Sequence, residues 1–261
     1  MIHLLRAFLW LELQLARQHR SALIAQIVQF LVFLFVFARL PINSQESFLA
    51  GVPYVHYVLT GFVYQIFYEA IMNGPTSRLS ELQQTGQLQV VLSAPYPRWM
   101  ILLAAGVGSS LNGIFRALII FFAGSLIFGA DIGVVSWPDL VLALTFTSVL
   151  CMCLALLNIA GALLWPRINL TSFFSSLLLG LLSGVFVPID RLPSLLQPIA
   201  VINPLRWGLD VFRHSLGQHA ALAPSGWLYA GVSVMILMVI ATLLYRRADT
   251  VLTTENRYQN F

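Results

Sequence analysis

Lysine is missing from these 261 residues: all 14 basic side chains are arginine. That removes the phosphate-cradling lysine of a P-loop and the Schiff-base lysine of covalent carbonyl chemistry. Charge of either sign is scarce, at 9% of residues against about 25% in a soluble domain. The formal net charge of +4 therefore rests on too few groups to build the basic groove that nucleic acid requires. Cysteine is rare as well. Cys151 and Cys153 stand two apart, which points them to different helix faces and suits neither a mutual disulfide nor a metal site. What abounds is apolar: 59% of the chain is hydrophobic. That excess excludes both a disordered chain and an ordinary water-soluble enzyme.

A bilayer core about 30 Å thick takes roughly 20 apolar helical residues to cross. Six runs satisfy this, at about 21–38, 54–72, 101–128, 140–164, 168–187 and 227–245. With the N-terminus inside, Arg6, Arg17, Arg20, Arg78, Arg98, Arg167, Arg246, Arg247 and Arg257 fall on the cytoplasmic side. Arg39, Arg191, Arg206 and Arg213 fall outside. Nine against four puts both termini in the cytoplasm.

The segments between the spans have patterns of their own. In residues 1–20, His3, Arg6, Gln14 and Arg17 recur at helical spacing opposite Leu5, Phe8, Leu9 and Leu13, with Trp10 as an anchor. This predicts an amphipathic helix on the inner leaflet. The cytoplasmic loop 73–99 carries a candidate capping box at Ser80 and Gln83 and a helix breaker at Gly86. Beyond Gly86, Leu88, Val91 and Leu92 share one helical face before Pro95. That short face suits either a partner's groove or the chain's own span. The outer segment 188–226 is too polar and Pro-rich to span. It holds one amphipathic piece at about 193–202, with Leu195, Leu196 and Ile199 on one face. A second begins at Asn203-Pro204, an N-cap followed by proline at the first helical position. This piece runs through Leu205, Leu209, Phe212 and Leu216 to a terminating Gly217. Such a pair of short helices reads as a re-entrant element lining or capping an opening.

Taken in order, these stretches resemble the membrane subunit of a type II ABC exporter, of the bacterial drug, lipo-oligosaccharide and polysaccharide group. Gly86-Gln87-Leu88-Gln89-Val90-Val91-Leu92-Ser93-Ala94-Pro95 is similar to that family's Gly-x-Leu-Glu-x-Leu-Leu-x-x-Pro loop. Gly113-Ile114-Phe115-Arg116 resembles the arginine-bearing middle of its third span. Ser183-Gly184-Val185-Phe186-Val187-Pro188, then Leu192-Pro193, Asn203-Pro204-Leu205-Arg206-Trp207, Asp210 and Arg213 resemble its outer signature. Two departures stand out. Gln89 replaces a residue that is often acidic, and the N-terminus lacks the basic motif of the polysaccharide exporters, which favours the drug and lipo-oligosaccharide branch over O-antigen export.

The resemblance implies an all-α integral membrane protein: one transmembrane domain over 1–261 with six spans, the N-terminal interfacial helix, a cytoplasmic coupling helix and an outer re-entrant segment. It implies a non-catalytic subunit that forms a homodimer and binds two copies of a separate ABC ATPase. That partner holds the ATP and magnesium; this chain holds no cofactor or metal. Coupling to the ATPase is expected at Glu81, Leu82, Thr85, Gly86, Gln87, Leu88, Val91 and Leu92. The first and fifth spans of two copies would line the path, placing Phe30, Phe33, Phe37, Phe173, Phe174 and Phe186 along it. Pro188, Asp190, Pro193, Asn203, Pro204, Arg206, Asp210 and Arg213 would form the outer gate. An aromatic, weakly charged path suits an amphipathic or lipid-linked substrate.

Glu69 and Arg116 are functional candidates because intramembrane charge is costly. Arg116 lies 15 residues past Ile101, about 22 Å of helix rise, whereas Glu69 lies near the inner end of its span. Different depths argue against a direct pair. Arg116 is expected to face a cavity, helix carbonyls, or Asp190 or Asp210, and Glu69 the inner headgroups. Three rivals are weaker. A secondary transporter would show internal repeats and mid-membrane acids, an intramembrane serine protease would need a histidine in a later span, and a purely structural subunit has no positive signal.

Overall fold

The computed structural model describes residues 20–38, 53–87, 98–129, 135–164, 180, 182–218 and 224–254. Among these there are seven α-helices, one 3-10 turn and no strand. We number the helices α1 (Arg20–Ala38), α2 (Tyr54–Gln84), α3 (Arg98–Phe128), α4 (Trp137–Leu164), α5 (Gln197–Ile202), α6 (Pro204–Ser215) and α7 (Pro224–Thr254). The 3-10 turn covers Ile189–Arg191. Helices fall where the first, second, third, fourth and sixth spans are expected. Two of them, α4 over Trp137–Gly161 and α7 over Gly226–Arg247, are by length and composition apolar enough to cross a membrane. Of the interfacial helix expected over residues 1–20 only Arg20 is described, as the first residue of α1, and most of the fifth span lies outside the described residues.

Packing radiates from α2. Its most extensive neighbour is α3, and it also packs on α1, α4 and α6; α7 lies against α4 and α6. Nearly every described side chain of α2 from Tyr54 to Leu82 is buried or half-buried. The helix starts behind Pro53, whose carbonyl accepts from the amides of His56 and Tyr57 at 3.0 and 3.2 Å. It ends where Gly86 turns left-handed (φ 68°) and Gln87 N–H reaches back to Leu82 O at 3.0 Å. That is the six-to-one bond of a Schellman stop, and glycine takes this backbone without a Cβ clash.

Two expectations change here. The second span was expected to end at Met72, before Asn73-Gly74-Pro75. Instead α2 runs unbroken past Pro75 to Gln84. A proline inside a helix forfeits one backbone bond, but here Gly74, Pro75 and Thr76 are all buried, so packing holds the helix together. Ser80 is accordingly no cap: its hydroxyl donates to Thr76 O one turn back, at 3.1 Å. At 1.5 Å per residue, the 31 residues of α2 measure about 46 Å, longer than a hydrocarbon core.

Residues 182–187, expected as the outer end of the fifth span, are turn and bend rather than helix. Gly184 there has φ 83°, a left-handed conformation that favours glycine. With the 3-10 turn, α5 and α6, this stretch forms a cap over one end of α2.

Candidate functional site

α6 is built as its sequence suggests. Asn203 Oδ1 accepts from Leu205 N–H at 3.1 Å, and Pro204 fills the first turn. At the other end Gly217 (φ 71°) donates to His214 O, and Gln218 N–H donates to Arg213 O, both at 2.9 Å, completing a Schellman motif. The expected apolar face is the one that packs: Leu205, Leu209, Phe212 and Leu216 are all buried. α5 is shorter than the piece expected over 193–202, because residues 194–196 form a turn. Of the apolar face expected there, Leu195 is 84% and Ile199 53% exposed and Leu196 half-buried, while Ala200 is the buried residue of α5.

The centre of the cap is Arg213, only 2% exposed. Its Nη1 donates to Gly184 O at 3.1 Å, and its Nη2 donates to Tyr57 O at 3.1 Å and Val185 O at 3.3 Å. The guanidinium also lies over the Tyr57 ring, 3.6 Å from its centroid, a cation–π contact that gains from desolvation. Tyr57 OH donates to Gly184 O at 2.5 Å, and Tyr54 OH to Phe186 O at 3.5 Å. Three successive carbonyls of the unwound stretch thus receive side-chain donors from α2 and α6. Buried backbone carbonyls outside regular structure need partners, and here protein supplies them. Burial pushes the Arg213 guanidinium below its ordinary pKa, while Tyr57 and Asp210 act the other way.

Close approach makes the clamp possible. A Cβ on Gly61 would stand 2.4 Å from Val185 O and 3.0 Å from Arg213 Nη2. A Cβ on Gly208 would stand 2.3 Å from Tyr64 OH and 2.6 Å from Thr147 Oγ1. Tyr64 OH donates to Leu205 O at 3.1 Å and shares a 2.9 Å hydrogen bond with Thr147 Oγ1, joining α2, α4 and α6 at one point. The remaining expected gate residues surround this clamp. Arg206 pairs with Asp210 at 3.5 Å, one helical turn apart. Asp190, Arg206, Asp210 and buried Pro188 line a small cavity of about 60 Å³ with Tyr57 and Arg213. Pro193 is exposed.

The expected path residues divide. Phe30 and Phe33 of α1 and Phe186 of the cap all meet one ring edge-to-face, that of Phe62 in α2, at 5.8, 5.0 and 5.0 Å. Such aromatic pairs add about 0.5–1.5 kcal/mol each beyond burial. Phe62 is the residue that sequence reasoning missed. Phe173, Phe174 and the side chain of Phe37 lie outside the described residues.

Glu69 and Arg116 were expected at different depths. Instead they line one cavity of about 420 Å³, with Gln29, Phe30, Asn73 and Ser77. The reason is the length of α2. Glu69 lies not at the helix end but 15 residues before Gln84, about 22 Å. That brings it level with the middle of α3, where a Cβ on Gly113 would meet Ala70 and Ser110 Oγ donates to Ala70 O at 3.0 Å. Glu69 Oε1 accepts from Gln65 Nε2 at 2.8 Å.

At the opposite end of α2 from the cap, Arg78 pairs with Glu81. Of the expected coupling residues, Glu81, Thr85, Gly86 and Gln87 are exposed and Leu82 is buried. Leu88, Val91 and Leu92 lie outside the described residues.

A helical chain with long apolar helices, whose polar groups are gathered on its central helix, has the build of an all-α membrane protein. A family model described as ABC-2 type transporter matches residues 3–216. The inner membrane transport permease YadH of Escherichia coli (strain K12) is 26% identical over 195 residues, covering 74% of this chain and 75% of its own length. The protein of the same name from Shigella flexneri matches to the same extent. This chain belongs to the ABC-2 type transporter family, as a membrane permease subunit.

Proposed function

We propose that this chain is the transmembrane permease of an ATP-driven exporter in the bacterial cytoplasmic membrane, with both termini inside. Two copies pair, and two copies of a separate ABC ATPase dock on the cytoplasmic face and bind the ATP and magnesium. The cargo is amphipathic or lipid-linked, moved outward past the aromatic cluster around Phe62.

One observation carries the reading. A single continuous helix, α2, holds the Arg78–Glu81 pair at one end and, through Tyr54 and Tyr57, the cap at the other. Tyr57 and Glu81 are 24 positions apart on it, about 36 Å. A push from the ATPase on Glu81 and Leu82 therefore acts on the same helix that touches Gly184, Phe186 and Arg213. Shifting α2 along its axis withdraws Tyr54 and Tyr57 from the cap carbonyls and frees the cap to open.

The test is reconstitution. The purified chain alone is expected to hydrolyse no ATP, and hydrolysis to appear when the partner ATPase is added. Leu88→Asp or Leu92→Asp is expected to weaken capture of that ATPase while the helices stay folded. Hydrolysis by the chain alone would sink the proposal, and unchanged capture by the aspartate variants would sink the coupling assignment.

A further inference from the structure

We propose that the cavity between α1, α2 and α3 binds the zwitterionic head of a single-chain or double-chain amphipath, its anionic group on Arg116 and its ammonium group on Glu69. Two observations combine here. The first is the lining: an acid from α2 and a guanidinium from α3 border one cavity of about 420 Å³, with the amides of Gln29 and Asn73 and the hydroxyl of Ser77. That volume is within the range of about 300–1,000 Å³ typical of small-molecule pockets. Charge inside a membrane marks substrate pathways by default. An anion alone beside Arg116 meets repulsion from Glu69, and a cation alone beside Glu69 meets repulsion from Arg116. A head bearing both charges satisfies both walls, and in a weakly screened cavity that difference is large.

The second observation supplies the tail. Phe30 borders the cavity and also packs its ring on Phe62, which in turn meets Phe33 and Phe186. The polar cavity therefore adjoins an aromatic surface that leads toward the cap. A head-and-tail molecule complements the two together; a fully polar or fully apolar one complements half.

The alternative is that Glu69 and Arg116 serve only to fasten α2 to α3. That crossing is already fastened beside the cavity by the hydrogen bond from Ser110 Oγ to Ala70 O and by the close contact of Gly113 with Ala70. The proposal rests on the membrane placement of the helices and not on the direction of transport. A failed transport assay would leave it standing, and a failed binding assay would leave the export reading standing.

The experiment is equilibrium binding to the purified full chain in a maltoside detergent, without ATP. The probes are lysophosphatidylethanolamine, lysophosphatidylglycerol and dodecyltrimethylammonium, with chainless glycerophosphoethanolamine as the fourth. The zwitterionic lysolipid is expected to bind at least tenfold more tightly than each of the others. Glu69→Gln is expected to abolish that preference and bring the anionic lysolipid level with the zwitterionic one. Arg116→Gln is expected to weaken both phospholipids at least tenfold and to favour the cation. Arg116→Lys, which keeps the charge, is expected to retain the wild-type order. Equal binding of all probes by the wild-type chain overturns the proposal. So does lowered thermal stability in both glutamine variants with the order of probes unchanged, the result of a purely structural tie. If Arg116→Gln does not fold, Glu69→Gln decides alone: a changed order supports the site and an unchanged order refutes it.

Discussion

α2 and α7 are each 31 residues long, and they use their side chains in opposite ways. α2 carries tyrosines, threonines, Gln65, Glu69 and Asn73, and it is wrapped by four other helices. α7 carries few polar groups over Gly226–Arg247 and is exposed along most of its length, with Met235 68% and Val239 56% accessible. Its inward stripe is narrow: Ala230 and Ala241 are buried, with Val234 and Leu237 half-buried between them. In water this arrangement would be inside out. In lipid it is the stable one, because acyl chains solvate apolar side chains as well as a protein core does, while polar groups must find partners inside the protein. The polar helix therefore becomes the hub and the apolar helix the wall.

The largest effect should come from a polar insult to the wall. Ile236 is 54% exposed near the middle of α7, where Ile236→Asp would be harmless on a water-facing surface. Facing lipid it should cost about 2.5–3.5 kcal/mol of membrane insertion, measured as lost membrane-integrated protein; full integration would break the comparison. Next is cutting the hub from the cap. Arg213→Met leaves Val185 O without its side-chain donor and removes one donor each from Gly184 O and Tyr57 O. A cost of roughly 1–3 kcal/mol is expected for buried acceptors losing a charged donor, read as a clear fall in thermal stability of the purified chain. A melting temperature within a degree or two of wild type would show that the clamp is incidental. The smallest and sharpest test pairs two glycines. Gly61→Ala puts a methyl 2.4 Å from Val185 O and should destabilise by about 1–3 kcal/mol. Gly231→Ala on α7 meets nothing within 4 Å and should be neutral or gain up to about 1 kcal/mol from helix propensity. Equal effects at the two sites in thermal unfolding would erase the distinction between hub and wall.

Much of this frame is legible in local chemistry. Asn203-Pro204 starts α6 and Gly217 stops it, because capping and left-handed turns depend on residues within a turn or two. Gly86 marks the end of α2 for the same reason. The continuation of α2 through Gly74-Pro75 is not legible, because burial by neighbouring helices overrides the local preference of those residues. That single boundary then misplaces Glu69 relative to Arg116. Phe62 and Tyr57 are hidden in a different way: in an apolar run, nothing local separates a lipid-facing aromatic from a packed one. One signal was available. Tyr54, Tyr57, Tyr64 and Tyr68 recur at steps of three, four and seven, with Gly61 at the vacant place. Hydroxyls on one stripe of a span need protein partners, which Tyr54, Tyr57 and Tyr64 find here, and the glycine among them marks where another backbone comes close. The fate of Arg213 needed the fold itself, since its three acceptors are supplied by α2 and by the unwound 184–185 stretch.

The most direct measurement of the hub-and-wall arrangement is spin-label accessibility in liposomes. Single cysteines at Met235, Val239, Tyr64 and Tyr68 would be labelled in a background with Cys151 and Cys153 replaced by alanine. Labels at 235 and 239 are expected to be mobile, with high collision rates for oxygen and low rates for a water-soluble nickel complex. Labels at 64 and 68 are expected to be immobile and shielded from both. Immobile, shielded labels on α7 together with oxygen-accessible labels on α2 would contradict the account.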